Sequence, residues 1–496
     1  MAISRIAERC TKSLINIEDP EYSMLIGTYM FAPLALEIAT SGIALLAMTV
    51  VVGSRLRLSG SPVNRNFQPR IQEILMIKTI ELQPGITLRC FPDDRFHQGC
   101  LSFQLVRPML EREAAANALI PAVLLRGTEK HPDLRAITLR LDELYGASVG
   151  TLVRRVGDYQ TTGLYCGFIE DRFALPGDRV LEPMVEFLGS LLLEPVTRDG
   201  AFSGSFVESE KRNLIATIES ELNDKQTYAM NQLLKRMCAA DSFGIPRLGD
   251  VQSVAAIDPG TLYSHYRKIL RESRVDIFYV GSAAPETVAG MLRPVLARID
   301  RNYVNLPGQT DFRYGGGEDL TETMDVAQGK LCLGYVTPIT NRTEDFAVMQ
   351  VMNTVFGGGM TSKLFMNVRE KLSLCYSVGS GYYGAKGIVT VSAGIDFDKE
   401  QQVREEIRRQ LDAICRGEVT EEELNAAKEA LLSSLRGTYD SPGAIEGYFA
   451  TTALNGAART PESHMEAIRA VTAEQVAGAA RTLTLHTTFF LKGVSE

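Results

Sequence analysis

The chain has 496 residues, 45% of them hydrophobic and 23% charged, which is enough to build more than one domain core. Its formal net charge of -8 argues against nucleic acid or an anionic surface as the main partner. Eight cysteines, none of them in C-x-x-C, read as buried reduced thiols of a cytosolic protein rather than a disulfide frame.

Residues 1–75 read as an N-terminal extension. Within it Phe31 to Gly53 is almost wholly apolar and long enough to cross a bilayer, although Pro33 and Glu37 interrupt it. Arg55, Arg57, Arg65 and Arg70 follow the run, and that bias favours a cytoplasmic body. The sequence leaves two readings open: a membrane anchor, or a misassigned upstream start. In both, the globular pattern opens at the strand-like run that begins with Met76.

Strands are expected at Ile86–Phe91 and Leu101–Val106, then helices near Glu111–Leu125 and Leu134–Tyr145, the second stopped by Gly146. Two further strands, Val149–Val156 and Gln160–Ile169, precede a long helix for which Asp178 is the expected N-cap. Pro121 predicts a kink in the first helix, or a late start with the proline in its first turn.

The chain then repeats itself. Val254-x-x-Ile257-Asp-Pro leads to the apolar strand Val275–Gly281, and Ile468-x-x-Val471-Thr-Ala leads to Thr487–Gly493. An amphipathic helix lies upstream of each, Glu208–Ile218 and Glu421–Leu435. Two homologous halves of about 200 residues are the natural reading. They span residues 76–300 and 326–496, and a glycine-containing linker, residues 301–325, joins them.

Several segments carry a resemblance. Leu124-Leu-Arg-Gly-Thr128, Leu141-Asp-Glu-Leu-Tyr-Gly-Ala-Ser148 and Phe243-Gly-Ile-Pro-Arg-Leu-Gly249 lie in the first half. Phe356-Gly-Gly-Gly-Met-Thr-Ser-Lys-Leu-Phe365 and Val368-Arg-Glu-Lys-Leu-Ser-Leu-Cys-Tyr376 lie in the second. From about Met76 to Gly493 the chain resembles the insulinase/pitrilysin/processing-peptidase superfamily, whose zinc motif is H-x-x-E-H. It looks like the non-catalytic member of a bacterial two-gene pair. The resemblance implies an α+β fold of two α/β half-domains, each an antiparallel-rich sheet covered by helices, forming a clam-like chamber.

At the motif's own positions the ligands are gone. The two histidine positions read Ala118 and Ala122, and the glutamate position reads Pro121. The third ligand, a glutamate on a later helix, falls at Thr217. Methyl groups, a pyrrolidine ring and a hydroxyl do not replace imidazole and carboxylate at zinc, nor do they take a proton from bound water. Five histidines remain, and the two nearest, His464 and His486, are 22 residues apart. No metal, no cofactor and no catalytic residue is therefore expected on this chain. A zinc peptidase built from displaced ligands ranks far lower.

Arg369 and Tyr376 are the expected substrate-contacting pair. In the resembled family this pair faces the zinc site from the other half or subunit, and guanidinium and phenol donors suit a developing oxyanion. The plainer reading pairs Arg369 with Glu370 and leaves Tyr376 as an edge aromatic. Gly357, Gly358 and Gly359 lack the Gly-Lys-Ser/Thr of a phosphate loop. They are expected to border the peptide cavity or simply to turn the chain. The resulting expectation is a heterodimer with a zinc-binding homologue that processes a peptide or protein. The alternative is a non-proteolytic binding or assembly protein linked to translation-factor modification.

Overall fold

Residues 77–493, apart from 222, 309–311, 313 and 455–458, are described by the computed structural model. The apolar run at 31–53 lies outside the described residues, and among the described residues no helix is long and apolar enough to cross a membrane. The first half begins with β1 (Lys78–Gln83), β2 (Ile86–Pro92) and β3 (Gln98–Pro108), then α1 (Glu111–Leu124) and α2 (Leu134–Glu143). It continues through β4 (Ser148–Val156), β5 (Tyr159–Ile169), α3 (Leu181–Leu193) and a short hairpin, β6 (Thr197–Arg198) and β7 (Ala201–Phe202). Four helices follow, α4 (Gly204–Ser220), α5 (Lys225–Met237), α6 (Val251–Ala255) and α7 (Pro259–Glu272), before β8 (Arg274–Gly281) and α8 (Pro285–Leu296). The second half comprises β9 (Asp319–Met324), β10 (Gly329–Val336), α9 (Phe346–Phe356), a π-helical segment at Leu364–Lys371, β11 (Ser377–Tyr383) and β12 (Ile388–Ile395). It ends with α10 (Glu400–Cys415), α11 (Glu421–Gly437), α12 (Pro442–Leu454), α13 (Pro461–Ala470), α14 (Ala473–Ala480) and β13 (Thr484–Gly493).

The repeat in the sequence is a repeat of topology. One sheet runs β1-β2-β8-β3-β5-β4 and the other runs β9-β13-β10-β12-β11. Leaving β1 aside, the two orders coincide strand for strand. Neighbours are antiparallel except β2 with β8 and β9 with β13. The register repeats as well: Ser148 pairs with Gly167 in the first sheet, and Ser377 with Gly394 in the second. The chain is thus an α+β protein of two α/β half-domains. Strand β9 falls inside the segment read as linker, because the parallel pairing to β13 draws Asp319–Met324 into the second sheet.

Each sheet packs its own helices on one face. Leu88, Phe103, Leu164 and Ile277 join α1, α3, α7 and α8 in the first core, and Leu331, Val391 and Phe490 join α9 and α10 in the second. The opposite faces are covered reciprocally. Ile445 and Phe449 of α12 pack on Phe91, Cys100 and Phe278 of the first sheet, with the Phe91 and Phe449 rings 4.5 Å apart. Ala229 and Leu233 of α5 pack on Cys332, Phe489 and Leu491 of the second. Burying a large apolar side chain is worth roughly 1.5–3 kcal/mol, so exchanging helices couples the halves strongly.

Two buried charge clusters sit where the halves meet. Lys386, its side chain 0% exposed, lies in the β11–β12 turn and pairs with Asp158 in the equivalent β4–β5 turn and with Asp241, 2.9 Å away. Glu446 on α12, also 0% exposed, accepts from Ser102 (2.8 Å), Gln104 (2.6 Å) and Arg154 (3.0 Å). A buried charge is tolerated only when paired and hydrogen-bonded, so these contacts specify one arrangement of the halves.

Local readings hold with two corrections. Gly146 ends α2 at φ 70, with Tyr145 also left-handed at φ 62. Asp178 does not cap α3; its carboxylate takes the Tyr145 hydroxyl. Asp171 caps the helix instead, accepting from the Val180 and Leu181 amides at 2.8 and 2.9 Å. Helix α1 does not start late at Pro121 but runs through it.

Lys386→Met leaves two aspartates buried without their cation and lowers the unfolding free energy in urea by about 3–5 kcal/mol. Adding Asp158→Asn and Asp241→Asn recovers most of that loss. A single-variant loss below about 1 kcal/mol contradicts a desolvated pair and fits a surface one.

Candidate functional site

Helix α1 is buried on most of its circumference. Its first turn is fixed by a bidentate pair between Arg107 and Glu113, both buried, with contacts of 2.7–3.0 Å. Pro121 has no N–H, so the Asn117 carbonyl one turn back lacks its helical donor. The Thr162 hydroxyl of β5 supplies one at 2.6 Å. The Asn117 side chain is itself fully buried and fully used. Its Nδ2 donates to Gln160 Oε1 at 2.9 Å, and its Oδ1 lies 2.8 Å from His265 Nε2, which therefore carries the proton. Gln160 in turn donates to the carbonyls of Ala114 (3.0 Å) and Arg247 (2.6 Å). Burial holds His265 below the ordinary imidazole value, with Glu113 opposing and Arg107 reinforcing that shift.

Ala118 and Pro121 are buried here, and Ala122 is half-buried. Helix α4 lies alongside, joined to the end of α1 by Arg126 and Glu210 at 3.2 Å. Thr217 is exposed on α4 and spends its hydroxyl on the Asn213 carbonyl, 2.9 Å away. These residues do not fit a zinc ion. The motif positions offer no ligand but one exposed hydroxyl, and the amide and imidazole beside them are committed to each other. Among the described residues no group of three His, Cys, Asp or Glu side chains is placed to hold a metal ion.

The second half carries a different site. Arg369 and Tyr376 line one pocket of about 370 Å³ together with Glu370, Ser373, Leu374, Cys375, Asp396 and Lys399. Arg369 Nε donates to the Tyr376 carbonyl at 3.0 Å, its Nη1 pairs with Glu370 at 2.8 Å, and its guanidinium lies over the Phe365 ring. The plainer expectation for Arg369, a pair with Glu370, is therefore present alongside its contact with Tyr376. Tyr376 is 62% exposed, and its hydroxyl donates to Asp396 at 3.0 Å. That hydrogen bond raises the Tyr376 phenol above its ordinary value. Lys399 first, then Tyr376, holds Asp396 below the usual carboxylate range, while Asp396 raises Lys399. Burial pushes the Cys375 thiol up to about 11.

The backbone at this pocket is unusual in two ways. The turn carrying Arg369 is a π-helix, a form that recurs at functional sites. Ser373, which lines the pocket, sits at φ 49, a conformation that strains a residue with a Cβ. Among the described residues the first half has no counterpart of the π turn or of the Arg369–Tyr376 pair, although its equivalent turn also holds a non-glycine residue, Tyr145, in the left-handed region at φ 62. Aligning Ser148-Val-Gly of β4 with Ser377-Val-Gly of β11 places Arg140 at the Arg369 position but the buried Ala147 at the Tyr376 position.

The glycines do not line the pocket. The amides of Gly357 and Gly358 donate to the Asn353 carbonyl at 2.9 and 3.0 Å and so end α9. The Gly357 carbonyl accepts from Ser380 of β11 at 2.9 Å, and a Cβ at Gly357 would lie 2.7 Å from that nitrogen. The run therefore permits α9 to end against β11. Asp396 and Lys399 escaped the sequence reading because they reach the pocket from the far end of β12, about which local spacing says nothing. A non-glycine residue in the left-handed region, such as Ser373, likewise leaves no sequence signal.

Residues 256–431 match the family described as the peptidase M16 inactive domain. The probable inactive metalloprotease YmfF of Bacillus subtilis is 29% identical over 409 residues, 82% of this chain and 96% of that one. The uncharacterized zinc protease YmxG of the same organism is 23% identical over 390 residues, 76% of this chain and 93% of its own length. A conserved protein from Enterococcus faecalis superposes with a TM-score of 0.80 at 28% identity, covering 85% of this chain and 99% of that one. The peptidase M16 inactive domain from Pseudomonas fluorescens shares the fold, with a TM-score of 0.71 at 18% identity over 85% of this chain and 99% of its own.

Thr162→Val tests the rebuilt helix. In the native background it strands a buried carbonyl and costs about 1–3 kcal/mol by urea unfolding. In a Pro121→Ala background the restored backbone N–H takes over, and the same substitution costs almost nothing. Equal costs in both backgrounds contradict the role assigned to Thr162.

Proposed function

We propose that this chain, which is similar to inactive M16 peptidase homologues of the insulinase type, serves as the non-catalytic subunit of a two-chain peptidase. A homologue bearing an intact H-x-x-E-H supplies the metal and the general base. This chain supplies substrate contacts from its second half.

The observation that supports the reading is the contrast between its two halves. The motif positions on α1 and α4 offer only Ala118, Pro121, Ala122 and Thr217. Arg369 and Tyr376, by contrast, share an open pocket. Neither needs a metal on its own chain to act. A guanidinium and a phenol brought to a neighbour's reaction centre stabilise the oxyanion that forms as the peptide carbonyl is attacked. Arg369 is oriented for this by the Tyr376 carbonyl and the Phe365 ring, and the Tyr376 hydroxyl joins it by turning its single proton from Asp396 to the oxyanion.

The experiment mixes this chain with a zinc-bearing homologue encoded in the same organism and follows a model peptide. Cleavage requires both chains and is abolished by chelation. Arg369→Ala lowers kcat/KM by about 10²–10³ while the complex still elutes as one species. Full activity with both Arg369→Ala and Tyr376→Phe removes the proposed role. A stable complex that cleaves nothing favours an assembly protein instead.

A further inference from the structure

Arg369 owes its direction to the wide turn that carries it, and that turn is held from outside. The Leu372 amide donates to the Asn367 carbonyl five residues back, at 3.1 Å, the bond of a π-helix. The chain then closes with Ser373 donating to Arg369 and Leu374 to Val368, at 3.1 and 3.0 Å. A π turn is rare and does not persist without support.

The support is a polar ladder. Asn367 Nδ2 donates to the Lys363 carbonyl at 3.0 Å and to Gln410 Oε1 of α10 at 2.9 Å. Gln410 Nε2 donates to Glu406 Oε1 at 2.7 Å, and Glu406, buried on the same helix, is balanced by Arg409 at 2.6 Å. The entry to the segment is pinned separately: Lys363 Nζ lies 2.9 Å from Glu423 of α11. Val368, the next residue, is buried in the core, so the turn is gripped on its inner side while Arg369 looks out.

We propose that Asn367 and Gln410, backed by Glu406, are positioning residues that hold the π turn open and so aim Arg369 across Tyr376 into the pocket. This rests on the subunit role proposed above. The physical reasoning is direct. Without the ladder, tightening to ordinary α winding removes the extra residue between Arg369 and the strand entry. The guanidinium then swings around the helix axis and its bond to the Tyr376 carbonyl is lost.

The test uses the full chain. Side-chain nitrogen NMR gives a protected Arg369 Nε–H signal, assigned by its loss in Arg369→Lys. Asn367→Leu and Gln410→Leu each abolish that protection and speed amide exchange over residues 364–376, with the exchange pattern of the first half unchanged. Gln410→Glu alone has the same effect, because it sets two carboxylates against each other. Combined with Glu406→Gln it rebuilds the ladder with donor and acceptor exchanged, and the Arg369 signal returns. Retention of the signal in both leucine variants, or failure of the exchanged pair to restore it, overturns the proposal. In the two-chain mixture the leucine variants lower kcat and leave KM near the native value. If the native mixture cleaves nothing, the subunit role falls, while the Arg369 signal still decides the brace.

Discussion

A proline inside a buried helix leaves a carbonyl with no donor, and much of the first half's polar interior is arranged around that fact. Thr162 closes the gap from β5 at 2.6 Å. Asn117, whose carbonyl is being satisfied, uses its side chain to tie Gln160 and His265 to the same place. Gln160 then reaches the Ala114 and Arg247 carbonyls. The result is a closed set of hydrogen bonds beside positions that hold zinc ligands in active relatives. Stranding one member costs about 1–3 kcal/mol, more than a single such bond contributes, so each bond protects the others.

The two halves are mechanically one. Each sheet borrows a helix from the other half, and Lys386 and Glu446 are buried where they meet. A chain built this way presents its surfaces in fixed relation. In the first half α1 is held by the Arg107–Glu113 pair and the Asn117 set. The second half keeps an exposed pocket whose geometry depends on a strained Ser373 and a π turn, both costly and both situated at Arg369 and Tyr376. A π turn at one corner of an otherwise regular repeat is where function is expected.

Much of this architecture was legible in the sequence. Strand alternation placed β3, β4 and β5, and Gly146 marked the end of α2, because period and turn chemistry are local properties. The repeat was visible in the spacing around Ile257 and Val471, since duplicated topology demands duplicated patterns. The expectation that zinc ligands are missing came from the resemblance, which set Ala118, Pro121, Ala122 and Thr217 at the motif positions. What stayed hidden was non-local. Asp171 caps α3 across an intervening loop, so the nearer Asp178 misled. Parallel pairing to a strand at the far end of the chain drew Asp319–Met324 out of the linker. Thr162 answers Pro121 from another strand, and Asp396 meets Tyr376 only after β12 has crossed the sheet. Each of these is set by tertiary contact, which a single sequence does not print.

The central claim is that the interior beside Ala118, Pro121 and Ala122 is a sealed hydrogen-bond set that offers no ligands to a metal ion. Zinc titration of the purified full chain by calorimetry, with elemental analysis of the dialysed product, reads it most directly. The account predicts no saturable site at neutral pH and far less than one zinc per chain. One tightly held zinc per chain, lost together with His265→Ala or Asn117→Ala, contradicts it.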